Sequence, residues 1–238
     1  MSSSGTPPGD QAAGIAGLRV SYETGALDED GLAATPLEQF RAWFDEAVEV
    51  GLAEPNAMVV ATASVDGQPS ARTVLLKEAD ARGFVFFTNL GSRKATELHD
   101  NPRASLVFPW FAMHRQIVAV GQAELLPRDE VAAYFGSRPH SSRLGAWASR
   151  QSAVLAGRAD LERRYADLAD QHPPGSDVPV PPFWGGWLVR PDTVEFWQGR
   201  ASRLHDRLRY RARVTGAAAS VPARLDRADD WVIERLSP

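Results

Sequence analysis

No cysteine occurs among the 238 residues, and this absence closes several routes together. Disulfide frameworks, thiolate nucleophiles and cysteine-ligated zinc or iron–sulfur clusters all require that side chain. Histidine is scarce too, with five residues at His99, His114, His140, His172 and His205. None forms an H-x-x-x-H or carboxylate-paired spacing, so no metal site is expected. Charge of one sign is not in excess either. A formal net charge of −4 gives no bulk attraction to nucleic acid or anionic lipid, so any anion site must be local. No apolar run is long enough to span a bilayer, and neither a membrane nor a nucleic-acid partner is expected. G-x-S-x-G, P-loop and G-x-G-x-x-G motifs are missing, which excludes the common hydrolase, NTPase and Rossmann routes. The opening MSSSGTPPGDQAAGIAG has no basic n-region and no continuous apolar stretch. Residues 1–18 therefore read as a polar disordered tail, not a signal peptide, with cytoplasmic residence as the expectation.

What is present has globular proportions, 44% hydrophobic and 24% charged, enough for one core without covalent staples. Residues 19–238 read as a single domain. TPLEQFRAWFDEAVEVG carries a helix start at Thr35, Pro36 and Glu38 and a stop at Gly51, with an apolar stripe through Leu37, Phe40, Trp43 and Ala47. From Ala57 the pattern changes to short β-rich runs, AMVVATASV, ARTVLLKEA and FVFFTN, divided by turn residues. GSRKATELHDNP inserts a helix capped at Ser92, after which RASLVFPW and RQIVAVGQAELL resume as strands. PRDEVAAYFGSRP and SAVLAGRADLERRYADLAD read as two more helices, and FWGGWLVRPDTVEFWQG, RLHDRLRYRARV and DDWVIERLSP as closing strands. Thr215 to Ala228 is small and polar and reads as an extended exposed hairpin loop. The expected fold is mainly β (α+β), a closed or nearly closed antiparallel barrel with peripheral helices.

Four segments could carry chemistry. In RTVLLK, alternation puts Arg72 on one face and Lys77 on the other, bracketing an apolar strand; a flat ligand with anionic appendages would suit it, as would two snorkelling edge charges. At FFTNLGSRKATEL, Arg93 and Lys94 stand at a helix N-terminus, where cations oppose the dipole unless an anion such as phosphate intervenes, or unless both point to solvent. Tyr134, Arg138 and Ser142, four apart, form either a phosphate clamp or a polar loop after Pro139, which favours a helix end there. In RLHDR, strand alternation puts Arg203, His205 and Arg207 on one sheet face, where they repel unless an anion or facing carboxylates compensate. A solvated basic hairpin or a small nucleic-acid patch is the competing account.

Taken in order, RTVLLK, FFTNLGSRKATEL, NPRASLVFPW, RQIVAVGQAE, YFGSRP, GAWASRQS, PPFWGGW, EFWQG and RLHDR closely resemble the pyridoxine 5'-phosphate oxidases, FMN-dependent split-barrel flavoproteins, from about Arg19 to Pro238. The resemblance implies a split antiparallel β-barrel of the FMN-binding type and a homodimer with FMN between subunits. It implies oxidation of pyridoxine 5'-phosphate or pyridoxamine 5'-phosphate to pyridoxal 5'-phosphate by dioxygen, with release of hydrogen peroxide. Carried over by position, the FMN set is Arg72, Thr73, Val74, Leu75, Lys77, Phe87, Thr88, Arg93, Lys94, Gln116, Gln151, Ser152, Trp197 and Arg207. The substrate set is Lys77, Tyr134, Arg138 and Ser142 at the phosphate, Arg203, Leu204 and His205 at the pyridine ring, and Arg19 and Tyr22 as a cover. Arg203 and His205 are the implied catalytic pair. Phe87 departs from the tyrosine common in the family. The alternatives are a phenazine-type split-barrel flavin oxidase and a non-catalytic flavin or pyridoxal-phosphate binder.

Overall fold

The computed structural model describes Ile15, Tyr22 and residues 25–214 and 221–238. Arg19 and residues 215–220 of the predicted hairpin loop lie outside the described residues. Helix α1 (Pro36–Glu49) starts as its sequence dictates, with the Thr35 hydroxyl accepting from the Glu38 N–H at 3.2 Å. Its apolar stripe is buried, and Phe40 meets Phe84 and Phe108 edge-on at 5.0 and 5.2 Å while Trp43 meets Phe196 at 5.2 Å. Each such burial is worth about 2 kcal/mol, so packing more than helix propensity holds α1 in place.

Among the described residues, nine strands form one sheet in which every pairing is antiparallel. They are β1 (Ala57–Ala63), β2 (Pro69–Leu75), β3 (Glu78–Ala79), β4 (Phe84–Asn89), β5 (Arg103–Trp110), β6 (Arg115–Leu125), β7 (Trp184–Gln198), β8 (Asp206–Ala212) and β9 (Trp231–Arg235). The sheet order is β2-β1-β5-β6-β7-β4-β3, with β8 on β7 and β9 on β8, and the sheet curls into a split barrel around the aromatic core. Strand β7 is its spine. One edge pairs with β6 along most of its length; the other pairs first with β4 and, from Thr193, with β8. The β6–β7 register shifts between Val120 and Gly121, where a Cβ on Gly121 would sit 1.9 Å from the Arg190 carbonyl oxygen. Only glycine fits that bulge.

Helix α2 (Arg93–Asp100) follows β4, and α3 (Arg128–Ser137), α4 (His140–Ala148) and α5 (Arg158–Gln171) form a group beside the barrel around Phe135, Leu144, Val178 and Trp184. Helix α4 corrects the loop expected after Pro139. That proline is unfavourable within a helix, yet it directly precedes the first helical residue here and so begins α4 as it ends α3. The helix predicted from Ser152 begins only at Arg158. The hairpin loop also differs from its expectation. Leu225 is fully buried, donating its N–H to Ala81 O at 2.9 Å and accepting from Leu37 N at 3.0 Å, so this one residue of the segment belongs to the core while Val221, Pro222, Arg224 and residues 226–228 are exposed as expected. Among the described residues, no helix is long and apolar enough to cross a membrane.

Candidate active site

Two separate regions, with three clefts between them, hold most of the candidate residues. The first cleft, about 490 Å³, lies where β2, β4, α2 and the α3–α4 junction meet, and Thr73, Val74, Leu75, Lys77, Phe87, Thr88, Lys94, Tyr134, Arg138, Ser142 and Gln151 all line it. Lys94 is buried, and its Nζ donates to Gln151 Oε1 at 2.6 Å and Thr88 Oγ1 at 3.0 Å. Burial, helped by nearby Arg72, pushes its pKa down to about 8. Among the described residues no carboxylate lies within ion-pair distance of Lys94. The solvent-pointing alternative therefore fails for Lys94, while Arg93 is largely exposed and pairs with Glu97 at 2.8 Å.

The N-terminus of α2 is capped from a distance. Ser92 makes no side-chain cap, and the Arg93 N–H donates instead to Ser152 Oγ at 3.2 Å. Arg93, Gln151 and Ser152 line an adjoining cleft of about 630 Å³ that shares Asn89, Ser149 and Gln151 with the first. Arg72 lines neither cleft. Its guanidinium donates to Val60 O, Thr62 Oγ1 and Ser70 Oγ and lies 3.5 Å from Glu97. Burial raises the Glu97 pKa, but hydrogen bonds from Ser70, Thr62 and Arg93 outweigh it and hold the group at about 2.

The spaced trio survives the helix break. Tyr134 comes from the last turns of α3, Arg138 follows its end, and Ser142 sits in the first turn of α4. Tyr134 stacks on Phe87 at 4.0 Å, and Phe87 on Trp184 at 5.2 Å. The Phe87 ring thus joins β4 to the trio, a contact that needs no hydroxyl. Arg138 lies over Trp184 with Cζ at 4.9 Å from the ring, and its buried NH1 has no hydrogen-bond partner. Burial disfavours its charged form, so the site is built for an incoming anion.

The second half-site is a cross-strand row at the other end of β7. Gln116 on β6 is opposite Trp197, and Trp197 is opposite Arg207 on β8. A cleft of about 290 Å³ beside the row is lined by Tyr22, Phe111, His114, Arg115, Gln116 and Trp197. Here the sequence expectation needs correction, because Arg203, His205 and Arg207 do not share a strand face. Arg203 ends a 3-10 turn (Ala201–Arg203) with φ +62°, and β8 begins only at Asp206. The Arg200 N–H donates to His205 Nδ1 at 3.1 Å and Asp206 accepts from Leu27 N at 3.1 Å; these ties fold the segment into a turn. Nor does Arg207 need an external anion, since Glu195 holds it through two bonds of 2.7 and 3.0 Å. Arg203 and Leu204 are exposed, while His205 is half-buried with its ring 4.7 Å from that of Trp197.

No residue lines both half-sites. From Gly186, opposite Phe87, to Trp197 is roughly 36 Å of extended strand at 3.3 Å per residue. Sequence reasoning missed Glu97, Trp184, Asn89 and His114. Glu97 alone left a signal, four residues after Arg93 on one helix.

The chain matches two family models. One, described as pyridoxamine 5'-phosphate oxidase, covers residues 44–172, and one described as the pyridoxine 5'-phosphate oxidase C-terminal dimerisation region covers residues 184–238. A pyridoxine/pyridoxamine 5'-phosphate oxidase of Streptomyces avermitilis is 52% identical over 94% of this chain and 96% of its own. One of Thermobifida fusca is 54% identical over 93% and 96%. Among solved structures, PhzG of Burkholderia lata, in complex with tetrahydrophenazine-1-carboxylic acid, aligns with a TM-score of 0.79 at 30% identity, covering 91% of this chain and all of its own.

Proposed function

The chain belongs to the pyridoxamine 5'-phosphate oxidase family, an oxidoreductase family, and on that premise we propose that it makes pyridoxal 5'-phosphate. Pyridoxine 5'-phosphate and dioxygen give the aldehyde and hydrogen peroxide; pyridoxamine 5'-phosphate, dioxygen and water give the aldehyde, peroxide and ammonia. The observation that carries the reading is Arg138, whose unpartnered N–H lies in the same cleft as Tyr134, Ser142 and Lys77. That set fits a phosphate monoester. The PhzG likeness favours a phenazine-type substrate as the second reading, but a carboxylated tricycle carries no phosphate for this clamp.

FMN is the proposed flavin. The buried, carboxylate-free Lys94 and the N-terminus of α2 fit its phosphate, with Arg93, Gln151 and Ser152 beside them. Thr73, Val74, Leu75, Phe87 and Thr88 line the same cleft, and Arg72 supports it by fixing Glu97 against Arg93. Gln116, Trp197 and Arg207 would approach from a second copy, because one chain holds them at the far end of β7. The region matched by the dimerisation model contains Trp197, Arg203, His205 and Arg207, which supports a homodimer joining the first half-site of each chain to the second half-site of the other.

When bound, FMN would supply the two-electron acceptor that dioxygen reoxidises. The chain supplies binding and orientation. Tyr134, Arg138, Ser142 and Lys77 hold the phosphate and thereby set the position of C4'. His205 accepts the Arg200 N–H at Nδ1, which leaves its ring proton on Nε2. It therefore meets the substrate as a hydrogen-bond donor that orients the ring, a narrower role than proton removal. Arg203, exposed at the end of its turn, is the cation assigned to face the reacting carbon, while Arg207, neutralised by Glu195, offers directed N–H groups more than net charge.

Addition of pyridoxine 5'-phosphate to the purified yellow protein is expected to yield peroxide and aldehyde; a colourless protein unable to take up FMN would overturn the reading. The shared site has its own test. Lys94→Met and His205→Ala chains, each inactive alone, should regain about a quarter of wild-type activity after mixing and subunit exchange, since half the dimers carry one intact site. No recovery despite exchange would place each site within one chain.

A further inference from the structure

One buried carboxylate beside the first half-site touches neither ligand in the proposed reaction. Glu97, on the buried side of α2, is 6% exposed, and each polar group against it is a donor. The Thr62 and Ser70 hydroxyls both reach its Oε2 at 2.5 Å, Arg93 Nε donates to its Oε1 at 2.8 Å, and the Arg72 guanidinium lies 3.5 Å from Oε2. A carboxylate so enclosed is held ionised.

The direction of each bond follows from the protons available. Arg72 donates to Thr62 Oγ1 at 2.6 Å and also to Ser70 Oγ. A guanidinium can only donate, so each hydroxyl must turn its own proton to Glu97. Oε2 is thereby occupied by β1 and β2, and Oε1 is left for Arg93. That bond takes Arg93 by Nε alone, and among the described residues neither of its Nη groups has a hydrogen-bond partner. Arg93 lines the 630 Å³ cleft together with Gln151 and Ser152, and its side chain is 58% exposed. Glu97 is what orders it.

We propose that Glu97 is a positioning residue: docked on β1 and β2, it grips Arg93 by Nε at the N-terminus of α2 and leaves both Nη groups preset for the flavin phosphate. This rests on the proposed placing of that phosphate at the helix end. Two effects of Glu97 oppose one another. As a negative charge it weakens phosphate binding; as a tether it removes the ordering cost that a long, exposed side chain meets when a ligand binds, a factor of roughly 2 to 10. Arg72 and Arg93 already neutralise much of its field, so the tether is the larger effect.

Full-length protein stripped of flavin and titrated with FMN or with riboflavin, read by flavin fluorescence, tests the role without turnover. Riboflavin has the same ring system and no phosphate. In Glu97→Gln the amide oxygen can still accept from Thr62 and Ser70, but the amide N–H then meets Arg93 Nε donor to donor. FMN affinity should fall by roughly 2- to 10-fold, with riboflavin affinity unchanged. In an Arg93→Ala background the same substitution should lose no FMN affinity. A loss of equal size with and without Arg93, an equal loss for riboflavin, or tighter FMN binding in Glu97→Gln alone would overturn the proposal. Arg93→Lys, a change at an exposed position that puts the fold at little risk, keeps the charge but cannot hold Glu97 and phosphate at two separate edges; it should lose FMN affinity by a similar factor, and wild-type affinity there would also overturn the tether. Wild-type protein that binds FMN no tighter than riboflavin would overturn the phosphate assignment and the proposal with it, whereas a preference for FMN kept in full by Glu97→Gln would overturn the proposal alone.

Discussion

The two half-sites sit on the same strand and treat positive charge in opposite ways. In the first, Lys94 is buried and Arg138 half-buried, neither with a carboxylate partner among the described residues, and burial disfavours their charged forms. In the second, the cations other than exposed Arg203 are already matched: Arg207 to Glu195, Arg115 to Glu46 at 2.6 Å, and Arg200 to Asp206 at 3.5 Å. Unmatched buried charge is costly unless an anion arrives, so the first half-site is an anion receptor held in readiness. Matched charge needs nothing further, and the wall beside it is aromatic. On the proposed reading, one half-site recognises phosphate, and the other presents rings and a few directed N–H groups.

Arg203 should break this contrast most severely. It is the exposed cation of the second half-site with no ion pair among the described residues, and Arg203→Leu should lower kcat/KM by roughly 100- to 1000-fold while FMN remains bound. Steady-state kinetics with flavin absorbance checks this, and near-normal turnover would remove the assigned role. Arg138→Ala removes a charge-assisted contact to the substrate phosphate and should raise KM by roughly 10- to 100-fold with a smaller change in kcat. An unchanged KM would contradict the clamp.

A third effect follows from the lowered pKa of Lys94. A bound phosphate favours the ammonium, and in the free protein that ammonium is lost as pH rises through about 8. FMN affinity should be full below that pH and decline above it, by up to roughly tenfold per pH unit. Titration of the apoprotein between neutral and alkaline pH measures the slope, and Lys94→Met should flatten it. Leu225→Ala should affect the contrast least. The cavity it leaves should lower stability by about 2 to 4 kcal/mol in denaturant melts, with both half-sites keeping their affinities under native conditions.

Much of the fold was legible in the sequence. Thr35, Pro36 and Glu38 announced α1, and alternation with turn residues marked every strand from β1 to β7 except the two-residue β3. What failed was local pattern overruled by distant contacts. The alternation in RLHDR is real, yet Arg203 lies in a 3-10 turn and β8 begins only at Asp206, with His205 tied to Arg200 and Asp206 to Leu27 and Arg235, and none of those ties can be seen from the spacing. Composition hid Leu225 in the same way, as one apolar residue in a small, polar segment that the core takes up. Within the site, residue types were readable and partnerships were not. Arg72 and Arg207 looked like free cations until Glu97 and Glu195 were found against them.

Strand β7 also determines where this chain can change in length. Its two ends serve different half-sites, and its side chains alternate between faces, so one residue gained or lost between Gly186 and Trp197 would turn every subsequent side chain to the wrong side. The single offset it accommodates is already used, at the Gly121 bulge. Insertions and deletions that descendants of this protein could keep would therefore fall outside β7, as in the 172–177 connection, leaving the distance between the two half-sites as a fixed length.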